Sequence, residues 1–452
     1  MSIFREYDIR GVYGAALTDN LAEDIGRAFG TLIRRGGGKS VSMGHDVRLS
    51  TPSLRKSLLT GMLSTGIDVA DIGSCPTPAL YFSLFNLSVD GGVMITASHN
   101  PAEYNGFKLC VGKRTIFGEE IQGVKLSIDR QDFDRGLGSL TVLEDFLATY
   151  LHYFTRHFKP FIFRNDARPL RVVMDCGNGA AGINAPEIFR KLGAELIPIY
   201  CDPDGRFPNH HPDPTVAENL ADLIVEVKKH KADLGIAFDG DGDRLGAVDE
   251  HGEIIWGDRL TLLFASEILK ENPGAVIVSE VKASQVLYDE VARLGGTAIM
   301  WKAGHSIIKD KMRETGALLA GEMSGHLFFA DRYFGYDDAT YAACRLAEIL
   351  VQGDGTLSSY FAGFPRTFAT PELRVDCPDD KKFEVVSQCR ELLRREHKTI
   401  DVDGVRFLFD GGWGLVRASN TQPALVLRFE ANQSSLLKEM EEKVRRLLAG
   451  LC

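Results

Sequence analysis

Residues 234–244 read LGIAFDGDGDR. The first five are apolar or glycine and leave no polar face, which suits a strand buried on both sides of a parallel sheet. The run then breaks into Asp239, Asp241 and Asp243, separated by Gly240 and Gly242. In α/β folds the chemistry lies beyond the carboxyl ends of such strands. The figure recurs upstream in GGVMITASHNP, residues 91–101, which ends in Ser98, His99, Asn100 and Pro101. It recurs downstream in LLAGEMSGH, residues 318–326, which ends in Glu322, Ser324 and His326.

Each of these strands closes a series in which apolar runs alternate with amphipathic segments. The first series runs from helix LAEDIGRAFGTLIRR through strand KSVSMG, helix PSLRKSLLTGMLSTG, strand DVADIG and helix ALYFSLFN to GGVMIT. The second takes strand RVVMD, helix APEIFRKLG, strand ELIPIY and helix ENLADLIVEVKKHK to LGIAF. The third takes helix DRLTLLFASEILKENPG, strand AVIVSE, helix SQVLYDEVARLG, strand TAIMWK and helix SIIKDKMRETG to LLA. Alternating strands and helices predict α/β layers. The period is near one hundred residues, too long for a solenoid repeat. The expectation is three similar α/β domains, over 1–143, 144–253 and 254–364, each sending one polar loop toward a central cleft. From Pro365 the pattern changes to strands TPELRVD, VRFLFD, WGLVRAS and ALVLRFEA with two helices. In the last helix Leu436, Leu437, Met440, Val444, Leu447 and Leu448 share one face. Residues 365–452 therefore read as a smaller α+β domain, with its own polar loop RASNTQP at 417–423.

Composition bounds the function. At 452 residues, 44% hydrophobic and 25% charged, the chain is globular. No apolar run approaches the ~18 residues of a membrane span, and the N-terminus lacks the apolar core of a signal peptide. The eight cysteines are scattered without a C-x-x-C pair, which suits buried thiols in a reducing cytoplasm. A net charge of −10 argues against nucleic-acid binding. An anionic small substrate remains compatible, because a few lysines and arginines focus a local positive field.

The acidic loop is the most specific motif. Three carboxylates this close repel each other unless a cation sits among them, and oxygen-only ligands suit Mg²⁺ or Ca²⁺. An EF-hand is a rival, since Glu250 falls at loop position twelve. Position six is Arg244 instead of glycine, however, and a strand precedes the loop where a helix belongs. A solvated acidic turn is the plainer alternative. In RASNTQP, Arg417, Ser419, Asn420 and Thr421 offer a guanidinium fork, hydroxyls and an amide, a set able to hold phosphate, though Ser-Asn-Thr before proline is also an ordinary turn. Glu322 and Ser324 suit vicinal sugar hydroxyls or simply a glycine-bounded turn. Ser98 is open to three readings: nucleophile, phosphate carrier or turn residue. GNGAAG, residues 177–182, matches the dinucleotide-binding fingerprint, with Asp202 at about the right distance, and supports a dehydrogenase reading. Lys108 and His305 stand near expected turns, where an isolated lysine or histidine is more often surface or core. Arg10 and Lys282 are weaker candidates of the same kind.

Taken as a set, TASHNP, DGDGDR, GEMSGH and RASNTQP resemble, in order, the phosphoserine, metal, sugar and phosphate loops of the α-D-phosphohexomutase family. YDIRG, GHDVRLS, HNPAEYNGFK and the NG of DCGNGAAG match as well. The resemblance spans essentially the whole chain. It implies three α/β domains and a TBP-like C-terminal domain around a central cleft, with GNGAAG structural. It implies reversible phosphate transfer between the 1- and 6-positions of a hexose phosphate through a 1,6-bisphosphate. Ser98 would carry the phosphoryl group. One Mg²⁺ would bind Ser98, Asp239, Asp241 and Asp243. Arg10, His99, Lys108, Arg244, His305 and His326 would be candidates for proton transfer or charge stabilisation. Lys282, Glu322, Ser324, Arg417, Ser419, Asn420 and Thr421 would bind substrate, and glucose or mannose 1,6-bisphosphate would activate.

G-E-x-S-G-H resembles the phosphomannomutase/phosphoglucomutase branch; the glucosamine-phosphate branch usually carries Gln where this chain has Met323. Ala303 departs from the threonine of many relatives. The expected partners are hexose phosphates, with no nucleic acid and no membrane, in a monomeric or weakly oligomeric cytoplasmic enzyme. A phosphoglucosamine mutase and an idle sugar-phosphate sensor are the alternatives.

Overall fold

The computed structural model describes residues 3–159, 168–419 and 423–451. The chain divides into two compact units, residues 1–260 with 324–362 and residues 261–323 with 363–452.

Two sheets build the first unit. In one, the strands lie in the order Ile9–Val12, Tyr104–Val111, Gly91–Ile95, Ser40–His45, Asp68–Ser74 and Leu140–Val142, with Arg114–Thr115 paired to Tyr104–Val111. The four from Gly91–Ile95 to Leu140–Val142 are parallel, and Tyr104–Val111 runs antiparallel beside Gly91–Ile95. Gly91–Ile95 is buried at every position, as its uninterrupted apolar run requires. The second sheet has the order Ile254–Ile255, Leu245–Val248, Leu234–Phe238, Arg171–Asp175 and Glu195–Ile199. Its last three strands are parallel, and Leu245–Val248 returns antiparallel beside Leu234–Phe238. TASHNP and DGDGDR therefore occupy equivalent places: each joins a buried parallel strand to an antiparallel neighbour.

That neighbour corrects one expectation. Lys108 is not near a turn: it sits inside the strand Tyr104–Val111, 2% exposed. An Asn-Gly pair and an internal lysine hide this strand from a propensity reading. Helices Phe146–His157 and Ala339–Gln352 also escape the sequence pattern; the second is buried over nearly its whole length, Arg345 and Glu348 included, so it shows no alternation of packed and solvent faces. Buried Asp338, which precedes the second helix, accepts at Oδ2 from the hydroxyl of Tyr150 on the first and from that of Tyr333 in the segment before it, at 2.7 Å each.

In the second unit Thr297–Trp301, Val276–Glu280 and Leu319–Gly321 are parallel neighbours. His305 begins the helix His305–Thr315 and is buried. The C-terminal sheet is antiparallel, in the order Phe368–Ala369, Ala424–Ala431, Gly412–Ala418, Val405–Phe409 and Lys398–Ile400, with Leu373–Asp376 also on Ala424–Ala431. Helices Lys382–Leu393 and Ser434–Ala449 cover it. Met440, Val444 and Leu448 are buried as the helical stripe predicts, and Leu436, Leu437 and Leu447 pack half-buried at its margin.

Candidate active site

Strand Gly91–Ile95 delivers Ser98 to the site in a left-handed conformation, φ 51°. A non-glycine residue rarely holds this region without support. Thr96 supplies some, its Oγ1 accepting from the Ser98 amide at 2.9 Å. Ser98 Oγ donates to Asp239 Oδ2 at 2.8 Å and lies 3.1 Å from His99 Nδ1. The two loops touch along their backbones. A Cβ on Gly240 would collide with the Ser98 carbonyl, so only glycine permits the approach.

Asp239, Asp241 and Asp243 are fully buried. Asp239 Oδ1 accepts from the amides of Gly242, Asp243 and Arg244 at 3.0, 3.0 and 3.2 Å, which closes the turn. Asp241 Oδ2 accepts from Thr77 Oγ1 at 2.6 Å, from Thr96 Oγ1 at 3.2 Å and from Lys108 Nζ at 2.8 Å. Lys108 Nζ also donates to Asp243 Oδ2 at 2.5 Å. Asp241 Oδ1 and Asp243 Oδ1 are buried without a hydrogen-bond partner. Two orphaned carboxylate oxygens are costly unless a cation takes them. One oxygen from each of the three carboxylates falls within a 4.8 Å cluster, so the donor set fits a hard divalent ion. Burial, then the charges of Asp243 and Asp241, push the Asp239 carboxyl well above its ordinary range. Burial opposes ionisation of Asp241 too, but the Lys108 ammonium overrides it and holds that carboxyl low. Lys108 is correspondingly held charged: burial opposes, and Asp241 and Asp243 prevail.

Around this cluster stand the other candidates of the first unit. Arg10 donates from Nη1 to Asn100 Oδ1 at 2.6 Å and pairs with Asp8. Arg244 Nε donates to His326 Nε2 at 3.0 Å. His326 Nδ1 then faces Asp337 Oδ2 at 3.0 Å and Asp243 Oδ1 at 3.5 Å. That pattern assigns the proton to Nδ1 and a lone pair to Nε2. Burial, reinforced by Arg244 and Arg10, keeps His99 neutral. Ser324 is half-buried.

In the second unit Lys282 Nζ pairs with Glu372 at 3.1 Å and with Glu280 at 3.5 Å. Burial raises Glu280 to about 7, opposed by Lys282 and helped by Glu322. Glu322 is buried and accepts from the Gly304 amide at 2.8 Å, beside His305. Arg417 pairs with Asp403 at 2.9 Å, and Asp403 also accepts from the amide of Ala303 at 3.2 Å. The Ser419 carbonyl accepts from Lys382 Nζ at 2.5 Å. Asn420 and Thr421 lie outside the described residues.

The rival motifs resolve physically. GNGAAG packs against the acidic loop: the Ala180 amide donates to the Gly240 carbonyl at 2.9 Å, and a Cβ on Gly179 would stand 2.8 Å from that oxygen. A pyrophosphate would have to displace protein backbone there. Glu250 is used elsewhere, accepting from Ser358 Oγ at 2.5 Å, so no EF-hand forms. Sequence reasoning gave no role to Thr77, Thr96, Asp337 or Arg48. Thr96 and Arg48 lie inside the quoted motifs TASHNP and GHDVRLS, whereas Thr77 and Asp337 lie in none.

Four domain profiles match in order: phosphoglucomutase/phosphomannomutase α/β/α domains I, II and III over residues 1–135, 148–252 and 256–368, and the C-terminal domain over 372–447. The chain belongs to the phosphoglucomutase/phosphomannomutase family. A phosphomannomutase/phosphoglucomutase of Pseudomonas aeruginosa is 47% identical over 454 aligned residues, covering 100% of this chain and 96% of that protein. A phosphoglucomutase of Neisseria gonorrhoeae is 42% identical, covering 99% of this chain and 96% of its own. The crystal structure of a phosphoglucomutase/phosphomannomutase family protein from Burkholderia thailandensis superposes with a TM-score of 0.91 at 42% identity, covering 99% of this chain and 97% of the other.

Proposed function

We propose that the protein moves phosphate reversibly between the 1- and 6-positions of glucose and mannose phosphates. The observation that carries this is Ser98, held left-handed with its hydroxyl on Asp239 at the rim of a buried three-carboxylate cluster. In the active form Ser98 Oγ bears a phosphoryl group. The P–Oγ bond breaks as a sugar hydroxyl oxygen bonds to phosphorus, and the hydroxyl proton passes to a protein base. The 1,6-bisphosphate formed then returns its other phosphate to Ser98. Asp239, Asp241 and Asp243, with Ser98, would hold one Mg²⁺, which when bound neutralises charge on the transferring group.

The other residues divide the work. Lys108 is held charged by Asp241 and Asp243, and Arg10 and Arg244 lie beside Asp8 and Asp239, which suits charge stabilisation. Among the candidates of the first unit, His326 is oriented by Asp337 and suits the base, its Nε2 lone pair passing from the Arg244 N–H to the sugar hydroxyl when substrate binds. His99, against Ser98, and His305, beside Glu322, stay secondary candidates for proton transfer. Glu322 and Ser324 would take the 3- and 4-hydroxyls, which glucose and mannose share. Lys282, Arg417, Ser419, Asn420 and Thr421 would take the non-reacting phosphate. Segments 1–143, 144–253, 254–364 and 365–452 would carry the phosphoserine, metal, sugar and phosphate loops. No described helix is long and apolar enough to cross a membrane. A cytoplasmic setting, a monomer or weak oligomer and activation by glucose or mannose 1,6-bisphosphate complete the proposal.

Phosphorus NMR tests it. Purified protein with Mg²⁺ and a trace of glucose 1,6-bisphosphate is offered glucose 1-phosphate and mannose 1-phosphate separately, with Ser98→Ala as control. Conversion of both to 6-phosphates by wild type alone supports the dual reading. Conversion of neither, with turnover of glucosamine 6-phosphate instead, redirects it to the amino sugar.

A further inference from the structure

Arg48 lies beneath the TASHNP loop with its side chain 0% exposed. Its guanidinium gathers four backbone carbonyls, three from that loop and the fourth from Tyr104, which opens the next strand. Nη2 donates to Ser98 O at 2.8 Å and Asn100 O at 2.5 Å; Nη1 donates to Pro101 O at 2.6 Å and Tyr104 O at 2.9 Å. Four carbonyl dipoles aimed at one buried point repel each other, so this course of the backbone needs a cation at its centre. Arginine suits the place because its donors form a rigid planar fork, whereas a lysine has three donors on one atom.

The fork is itself fixed. Its Nε lies 3.2 Å from Asp46 Oδ2, while Asp46 Oδ1 accepts from the Arg48 amide at 3.0 Å and from Thr51 Oγ1 at 3.1 Å. The Asp46 amide donates to the Ile95 carbonyl at 2.9 Å, which ties the assembly to the strand that delivers Ser98. The second domain closes over it. Phe207 stacks with its ring centroid 5.1 Å from Arg48 Cζ, and a Cβ on Gly205 would strike the Val47 carbonyl. Burial drives the guanidinium toward losing its proton, and Asp46 opposes this. The group is retained at that cost in the place where the loop turns left-handed at Ser98.

We infer that Arg48 is the positioning residue of the phosphotransfer step: by holding the carbonyls of residues 98–104 it fixes the Ser98 backbone so that Oγ faces Asp239. Arg48 touches neither sugar nor phosphate, and its effect passes wholly through the loop. This rests on the phosphoserine reading above. A misaimed donor lowers the rate of transfer and leaves sugar-phosphate binding intact, since the binding groups lie elsewhere. An error of 1 Å in such geometry costs about 100-fold in rate.

The test separates aim from stability. Arg48→Met and Arg48→Lys are compared with wild type, Ser98 is charged with glucose 1,6-bisphosphate, and phosphoserine is counted by mass spectrometry. The expected result is a kcat per phosphorylated Ser98 lowered about 100-fold in Arg48→Met, partly restored in Arg48→Lys, with KM for glucose 1-phosphate within about twofold of wild type. Should Arg48→Met fail to fold, Arg48→Lys decides alone. A wild-type kcat per phosphoserine in a folded variant overturns the inference, because lost stability lowers the folded fraction and not the rate of each charged molecule. A wild-type enzyme that takes no phosphate on Ser98 overturns the phosphoserine reading instead, and the two failures are thereby distinct.

Discussion

Ser98 Oγ stands 2.8 Å from Asp239 Oδ2 across 141 residues of sequence. The contact joins the carboxyl ends of two different sheets and lets one carboxylate serve both the hydroxyl and the acidic loop. Ser98→Ala should lose all turnover while the loop stays folded, because Asp239 Oδ1 keeps its three amide donors. Thermal unfolding within about 3 °C of wild type, with no phosphate incorporated from a bisphosphate, is the expected pair of results, the small change in midpoint being that of less than about 1 kcal/mol. Residual turnover at even a hundredth of the wild-type rate would break the proposal that Ser98 is the carrier.

Mg²⁺ should stabilise the protein as well as activate it. Asp241 Oδ1 and Asp243 Oδ1 are buried and lack hydrogen-bond partners, so a bound cation relieves a native-state cost that the unfolded chain does not carry. The midpoint of thermal unfolding should rise with Mg²⁺ and return on chelation. In Asp241→Asn and Asp243→Asn the rise should shrink or vanish, since each change removes a charge from the ligand set. Equal rises in wild type and both variants would place the cation elsewhere.

Lys108 shows what removing one partner of a buried network does. Its ammonium is the shared donor to Asp241 and Asp243. Lys108→Met keeps the volume and strands both carboxylates. Breaking a buried ion pair in this way costs about 3–5 kcal/mol. The variant should unfold at markedly lower denaturant concentration, and Mg²⁺ should recover more stability in it than in wild type. Denaturant titrations with and without the ion check both statements; a change below about 1 kcal/mol would mean that the lysine does not carry this load.

Most of the buried strands and helices were legible because burial writes itself into composition: LGIAF, RVVMD and ALVLRFEA become strands at those very residues. The four loop motifs stood out in the sequence because each gathers chemistry within six or seven residues. Lys108 did not, since a lysine in a strand looks like an error until the carboxylates that neutralise it, more than 130 positions away, are folded beside it. The role of Arg48 was hidden although its motif GHDVRLS stood out, because it answers backbone carbonyls, which leave no trace in sequence. Asp337 was hidden because it answers His326 across a turn that no periodicity marks.

Asp338 gives the fold a pH dependence of its own. Its carboxyl caps helix Ala339–Gln352 by accepting from the Tyr341 amide at 2.9 Å, and it accepts the Tyr150 and Tyr333 hydroxyls on its other oxygen. Burial outweighs these donors and raises it to about 6. An unfolded aspartate titrates near about 3.9. Between these values the folded chain holds the extra proton, so this group's stabilisation is complete below about pH 4 and is lost as pH rises through about 6. Asp338→Asn stays neutral throughout and retains an acceptor oxygen. The difference in unfolding free energy, wild type minus variant, should therefore fall by up to about 2–3 kcal/mol between pH 3.5 and 7, a tenfold difference in proton affinity being worth about 1.4 kcal/mol. Denaturant titrations of both proteins at several pH values measure it. Parallel stability curves would mean that Asp338 ionises as easily in the folded protein as in the unfolded chain.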